Sequence, residues 1–174
     1  CGMSVGKTLR SQIEKGHLSD DLMNRAMILT AAASDARMSG VSMPVMSSNG
    51  SGNNGLTALL PIVAYAQRNA VSDEKLAKAA AISHLVNSII KNNIGRLSAL
   101  CGCGVAAGTG AAVAITWLME GTPAQQEGAV QNMIANTTGM ICDGAKVGCA
   151  LKLATSASAA IQSADRKSTR LNSS

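Results

Sequence analysis

The sequence contains no phenylalanine, one tryptophan and one tyrosine among 174 residues. Stacking the bases of single-stranded nucleic acid needs several aromatic faces, so that class of partner is excluded. Charge is also scarce, with 14% Asp, Glu, Lys and Arg against 47% hydrophobic residues. A chain this apolar buries a core instead of staying disordered, and its length suits one domain. The best apolar run, 104–119, ends at Glu120, short of the roughly 20 residues that a bilayer span requires. It reads as a buried core helix, even with Gly104 and Gly108 in GxxxG spacing. No alternating strand of useful length occurs, which removes an all-β fold, and no repeat of fixed period emerges.

Both termini carry expectations. The chain starts at Cys1 with no basic leader and no apolar targeting stretch, and we expect it to be a fragment. The last ten residues, Asp165 to Ser174, resemble the translation of a sequencing-adapter oligonucleotide and break an Ala-rich helical pattern without a turn signal. They are set apart as non-native, and the domain is assigned to 1–164. Arg166, Lys167 and Arg170 against Asp165 account for +2 of the formal +5. The rest is too weakly basic to argue for nucleic acid.

Small residues are what the sequence has in quantity. Alanine and glycine dominate the second half; alanine is the best helix former, and small side chains let helix backbones approach closely. Helical spacing predicts helices over 5–15 and 20–38, the second with Leu22, Met23, Ala26, Met27 and Thr30 on one side. The stretch from Ser47 to Gly55 is dense in residues that adopt left-handed backbone or hydrogen-bond to it, so 39–55 is expected to be loop. Helices follow over 56–69, with Pro61 kinking it or in its first turn, and over 73–92 behind Ser72 as N-cap. Cys101-Gly-Cys103 leads into a Gly/Ala helix ending near Gly121, uncharged on every face and therefore expected to be central and surrounded. Thr122, Pro123 and Gln125 supply a cap, an N1 proline and a capping-box glutamine for a helix to about 135. A second Gly-punctuated loop, 136–149, precedes a helix over 150–164. The expected fold class is all-α, with a central buried Gly/Ala helix and two Gly-rich functional loops.

The chemistry gathers in those loops and in the Cys-Gly-Cys turn. Five cysteines, at 1, 101, 103, 142 and 149, without a secretory signal disfavour a disulfide framework. Reduced thiols at element junctions could hold a soft metal or an iron–sulfur cluster. Inert core cysteines are an equally ordinary reading, and the spacing matches no standard zinc pattern. The Asn/Ser/Gly loop is neither GxGxxG nor GxxxxGK[ST], which argues against a nucleotide phosphate cradle. It reads either as flexible linker or as a set of amide and backbone donors for a small carboxylate.

Four motifs together form a resemblance: Ser34-Asp-Ala-Arg-Met38, Ser48-Asn-Gly-Ser-Gly-Asn-Asn-Gly55, Arg96-Leu-Ser-Ala-Leu-Cys101, and Gly139-Met-Ile-Cys-Asp-Gly-Ala145 with Cys149. Over residues 3–164 the chain resembles the C-terminal part of the L-cysteine desulfidase family, which groups with the iron–sulfur L-serine dehydratases of α-chain type. That family's Gly-Cys-Thr-Glu-Pro motif does not occur in this chain. The resemblance implies a catalytic [4Fe–4S] cluster, no pyridoxal phosphate, and β-elimination of L-cysteine to pyruvate, ammonia and sulfide, with L-serine as the alternative substrate. Position by position, Cys101, Cys142 and Cys149 match the cluster-type cysteines, with Cys103 the alternative to Cys101.

Substrate contacts are assigned to Ser47, Ser48, Asn49, Gly50, Ser51, Gly52, Asn53 and Asn54, with Arg37 as a charge partner. Arg37 also suits the helix dipole where it stands. His84 is the candidate for proton transfer, against the commoner structural role of a lone helical histidine. Lys146, between two candidate ligands, either tunes cluster charge or is an ordinary exposed lysine. The general base is expected in the missing motif, which would leave the chain inactive by itself. We expect a cytoplasmic protein with a small amino-acid substrate, no nucleic-acid or membrane partner, and a homodimer allowed. The contrasting hypothesis is a non-enzymatic helical module whose thiols bind zinc or nothing.

Overall fold

Several helix starts are set by short polar side chains. Ser72 accepts from the Lys75 N–H at 3.3 Å, so α4 (Asp73–Ile94) begins where expected. Thr122 accepts from the Gln125 N–H at 3.3 Å while the Gln125 side chain accepts from the Thr122 N–H at 2.9 Å. This reciprocal pair starts α6 (Pro123–Thr137). The computed structural model describes residues 2–95 and 97–164. Its other helices are α1 (Val5–Glu14), α2 (Leu22–Met38), α3 (Gly52–Asn69), α5 (Gly108–Leu118) and α7 (Cys149–Ala164). The fold is all-α, as expected. The proposed adapter segment, 165–174, lies outside the described residues. No helix among those described is long and apolar enough to cross a membrane.

The Gly/Ala segment is the hub. Ala107, Ala111 and Ala114 are each 0% exposed, and α5 packs against α3, α4, α6 and α7. Its first turn is wider than expected: Cys103–Ala107 is π-helical before α5 proper begins at Gly108. Two faces require glycine. A Cβ at Gly104 would lie 2.4 Å from Met140 Sδ and 2.9 Å from Ser156 Oγ of α7, and one at Gly108 would lie 2.9 Å from Met133 Cε of α6. On another face, a Cβ at Gly110 would stand 2.4 Å from the Ser83 carbonyl oxygen of α4.

Smallness also governs α2 against α7. Ala26, Thr30, Ala31 and Ser34 are fully buried, whereas Leu22, Met23 and Met27 are half-buried at the margin of that face. Asp35 of α2 accepts the Gly6 N–H of α1 at 3.1 Å. Pro61 lies inside α3 rather than in its first turn, and it offers no N–H to the Thr57 carbonyl. The π-helical turn packs against α3, α4 and α7. The first turns of α3, α5 and α7 and the last turns of α2 and α4 therefore meet at one end of the bundle, where the candidate site residues gather.

Gly110→Ala is expected to destabilise the fold by about 1–3 kcal/mol through overpacking against the α4 backbone. Gly139→Ala, where a Cβ meets nothing within 4 Å, should stay within about 0.5 kcal/mol of the parent in chemical denaturation.

Candidate functional site

The Asn/Ser/Gly stretch is half turn and half helix. Ser48 and Ser51 exchange backbone hydrogen bonds of 3.1 and 3.0 Å, with Asn49 (φ 50°) and Gly50 (φ 79°) between them. Two left-handed central residues make the tight reversal that Asn-Gly favours. Helix α3 then begins at Gly52, four residues earlier than expected, because Ser51 caps it by accepting the Asn54 N–H at 3.3 Å. The glycines that read as loop are there for clearance. A Cβ at Gly52 would fall 2.3 Å from Arg37 Nε, and one at Gly55 would fall 1.8 Å from the Met46 carbonyl oxygen.

A buried polar network joins this turn to α4. Asn87, fully buried, donates through Nδ2 to Ser48 Oγ at 2.8 Å and to Asn54 Oδ1 at 2.5 Å. Ser48 Oγ also accepts from Asn49 Nδ2 at 3.3 Å. With its lone pairs so used, the network assigns the Ser48 proton to His84 Nδ1, 2.8 Å away. A singly protonated His84 ring then carries its proton on Nε2. Asn87 and Lys91, on the same face of α4 as His84, were missed in the sequence, where the helix offered no motif around them. Lys91 is 6% exposed, with its head over Gly102.

Two buried amide oxygens, Asn53 Oδ1 and Asn87 Oδ1, have no hydrogen-bond partner. A buried acceptor left so is costly, and it is a place where a donor belongs. Arg37 lies against Gly52 at the positive end of α3, and among the described residues no carboxylate pairs with it. Its own hydrogen bond runs to Met38 Sδ at 3.4 Å. Ser47 is exposed at the rim.

The thiols stand beside this turn. An isolated antiparallel bridge pairs Leu100 with Ile141. It is extended by Cys101 N–H to the Met140 carbonyl and by Cys142 N–H to the Ala99 carbonyl, each 2.8 Å. Such a pairing sets residues 101 and 142 on one face as diagonal neighbours, about 7–8 Å apart between backbones. Cys101 is buried and Cys142 exposed. The Cys103 thiol hydrogen-bonds to Cys101 and, with nearby backbone N–H groups and Lys152, holds the Cys101 pKa down, to about 6, against the opposing effect of burial. Cys103 is pushed up by that same hydrogen bond and by burial, and it feels the charge of Cys149. Cys149 opens α7, accepting the Lys146 N–H at 3.4 Å. The Lys146 side chain is exposed and pairs with Asp143 at 3.7 Å. Among the described residues, no three His, Cys, Asp or Glu side chains close around a single point as metal ligands.

The description "serine dehydratase alpha chain" belongs to the family model that matches residues 2–172. The chain belongs to that family. Similar relatives are UPF0597 proteins of Alkaliphilus metalliredigens (72% identical), Alkaliphilus oremlandii (69%) and Clostridioides difficile (68%). Each alignment covers 94% of this chain but only 36% to 38% of the relative, so the chain spans less than two fifths of their length. No solved structure matches it. For this serine dehydratase alpha-chain segment, one thiolate should form with a midpoint near pH 6. Cys103→Ala removes the main stabilising hydrogen bond and should move that midpoint upward, as followed by ultraviolet thiolate absorbance.

Proposed function

We propose that this segment forms part of the active site of a lyase that eliminates the β-substituent of a small L-amino acid, with L-cysteine as substrate. The products are sulfide and, after one water hydrolyses the aminoacrylate, pyruvate and ammonia. The observation that carries this reading is the pair of buried, unpartnered oxygens of Asn53 and Asn87 at a helix N-terminus beside a group of thiols. Those acceptors suit an α-ammonium group. The positive end of α3 and Arg37 suit an α-carboxylate. A zwitterion needs both.

The donor set fits a [4Fe–4S] cluster in its chemistry: soft thiols, one held as thiolate near neutrality, with N–H groups directed at sulfur. Cys101, Cys142 and Cys149 are the residues we assign to hold it, with Cys103 the alternative to Cys101. When bound, such a cluster would supply Lewis-acid polarisation of the substrate. The chain's own residues do the rest. Asn53 and its neighbours in Ser47–Asn54 orient the amino acid so that its α-proton and leaving group are fixed. His84, with Nδ1 held by Ser48, presents Nε2 as the atom that holds or moves a proton. L-Serine is the alternative substrate, differing only in whether hydroxyl or thiol leaves.

Anaerobic purification of a full-length protein carrying this segment tests the reading. A brown protein that releases sulfide and pyruvate from L-cysteine supports it, and a colourless zinc-loaded protein without turnover overturns it in favour of a non-enzymatic module. Cys142→Ala should lose both cluster colour and sulfide release. Asn53→Ala should keep the colour and lower turnover about tenfold or more, because a positioning contact is removed without touching the cluster.

A further inference from the structure

Asn87 is 0% exposed, and its amide group is used unevenly. Both hydrogens of Nδ2 are committed, one to Ser48 Oγ at 2.8 Å and one to Asn54 Oδ1 at 2.5 Å. Its Oδ1 is buried without a hydrogen-bond partner. A buried amide with one end unanswered is unfavourable, so packing alone does not account for an asparagine at this place in α4.

The bonds that Asn87 makes have a direction, and that direction carries through to His84. Ser48 Oγ accepts from Asn87 Nδ2 and, at 3.3 Å, from Asn49 Nδ2, so its own hydrogen goes to His84 Nδ1, 2.8 Å away. A singly protonated ring then has its hydrogen on Nε2. Turning the Asn87 and Asn54 amides over would reverse the order at the same positions. Asn54 and Ser48 would both donate to Asn87, and His84 Nδ1–H would donate to Ser48. The two polarities differ at the buried end of Asn87, which is an oxygen in the first and an N–H₂ group in the second. A cationic donor at that point selects the first. Asn53 Oδ1, the other unpartnered buried amide oxygen, is an acceptor of the same kind on the first turn of α3.

We propose that Asn87 is a positioning residue that couples the α-ammonium group of the bound amino acid to the tautomer of His84. The ammonium donates to Asn87 Oδ1, Asn87 Nδ2 donates to Ser48, and Ser48 donates to His84 Nδ1, which leaves the ring hydrogen on Nε2. This rests on the proposed amino-acid site and deepens it, because the ligand's own ammonium then decides which His84 nitrogen is protonated. A ligand with a carboxylate alone does not engage Asn87.

The test uses the full-length protein carrying this segment, with L-alanine as an amino acid that has no leaving group and propionate as its counterpart without the ammonium. Heteronuclear NMR of isotope-labelled histidine reads the tautomer, and the His84 signals are those lost in His84→Gln. In the L-alanine complex the ring should carry its hydrogen on Nε2. Asn87→Asp keeps acceptors for the ammonium and should hold L-alanine at least as tightly as the parent. A carboxylate cannot donate to Ser48, however, so the Ser48 hydrogen turns toward residue 87 and His84 becomes protonated on Nδ1. A residue that only filled space would leave the tautomer where it was. Asn87→Leu should cut L-alanine affinity about tenfold or more, as expected for loss of a hydrogen bond to a charged group, and leave propionate affinity nearly unchanged.

A parent complex with the ring hydrogen on Nδ1, an unmoved tautomer in Asn87→Asp, or equal losses for the two ligands in Asn87→Leu overturns the proposal. The first of these needs no variant, so it still decides if a substitution prevents folding. Sulfide and pyruvate release are assayed in parallel, where Asn87→Asp should lower kcat about tenfold or more. Turnover of L-cysteine with a tautomer indifferent to Asn87 sinks the coupling alone. An Asn87-dependent tautomer and L-alanine binding without turnover of L-cysteine or L-serine sinks the elimination reading alone.

Discussion

Close approach of helix backbones to the Gly/Ala segment is the constraint on which the rest of the molecule depends. Gly104, Gly108 and Gly110 leave no room for even a methyl group against α4, α6 and α7. The packed interior consequently holds few large side chains, with Ile62, Ile115, Met133 and Leu153 the main apolar ones among many alanines and threonines. A core of this kind gains stability from the number of close contacts more than from the size of any buried group. It also fixes the helices in register. The first turns of α3, α5 and α7 are brought to one end because their backbones touch the same hub.

That end of the bundle is where the fold accepts electrostatic cost. Asn53, Asn54, Asn87 and Lys91 are all buried there, and burying polar groups is unfavourable unless their partners are supplied. The protein supplies some of them: Ser48, Asn54 and Asn87 satisfy one another. Two amide oxygens remain without a partner, and Arg37 stands against the N-terminus of α3. The thiols are perturbed in the same region: the Cys101 pKa is held down by a neighbouring thiol and by backbone N–H groups against the opposing effect of burial. Such departures from local self-consistency mark binding surfaces.

The π-helical turn at Cys103–Ala107 connects the two themes. A wider turn shifts the residues before it relative to those after it, and such turns occur often at functional sites. Here it lies between the buried helix and the Cys-Gly-Cys turn. Cys101 can therefore pair its backbone with Met140 while α5 keeps its own alignment with α4 and α7.

The sequence by itself determined that the chain is helical and where two of its helices are capped. Ser72 and the Thr122–Gln125 box act within four residues, so their effect needs no knowledge of the rest of the chain. The burial of the Gly/Ala helix was equally legible, because a segment without charge on any face has nowhere else to go. Tertiary structure decided what the glycines at 52 and 55 are for. They read as loop because glycine is a loop residue in isolation, and they are helix because Arg37 and the Met46 carbonyl oxygen press against that backbone. The same holds for Asn87 and Lys91. Nothing in a helix of ordinary composition marks them; Asn87 meets residues 33 to 39 positions away, and Lys91 meets the Gly102 turn. Local chemistry sets where helices start and which faces are apolar; which polar side chains meet depends on how the hub brings distant turns together.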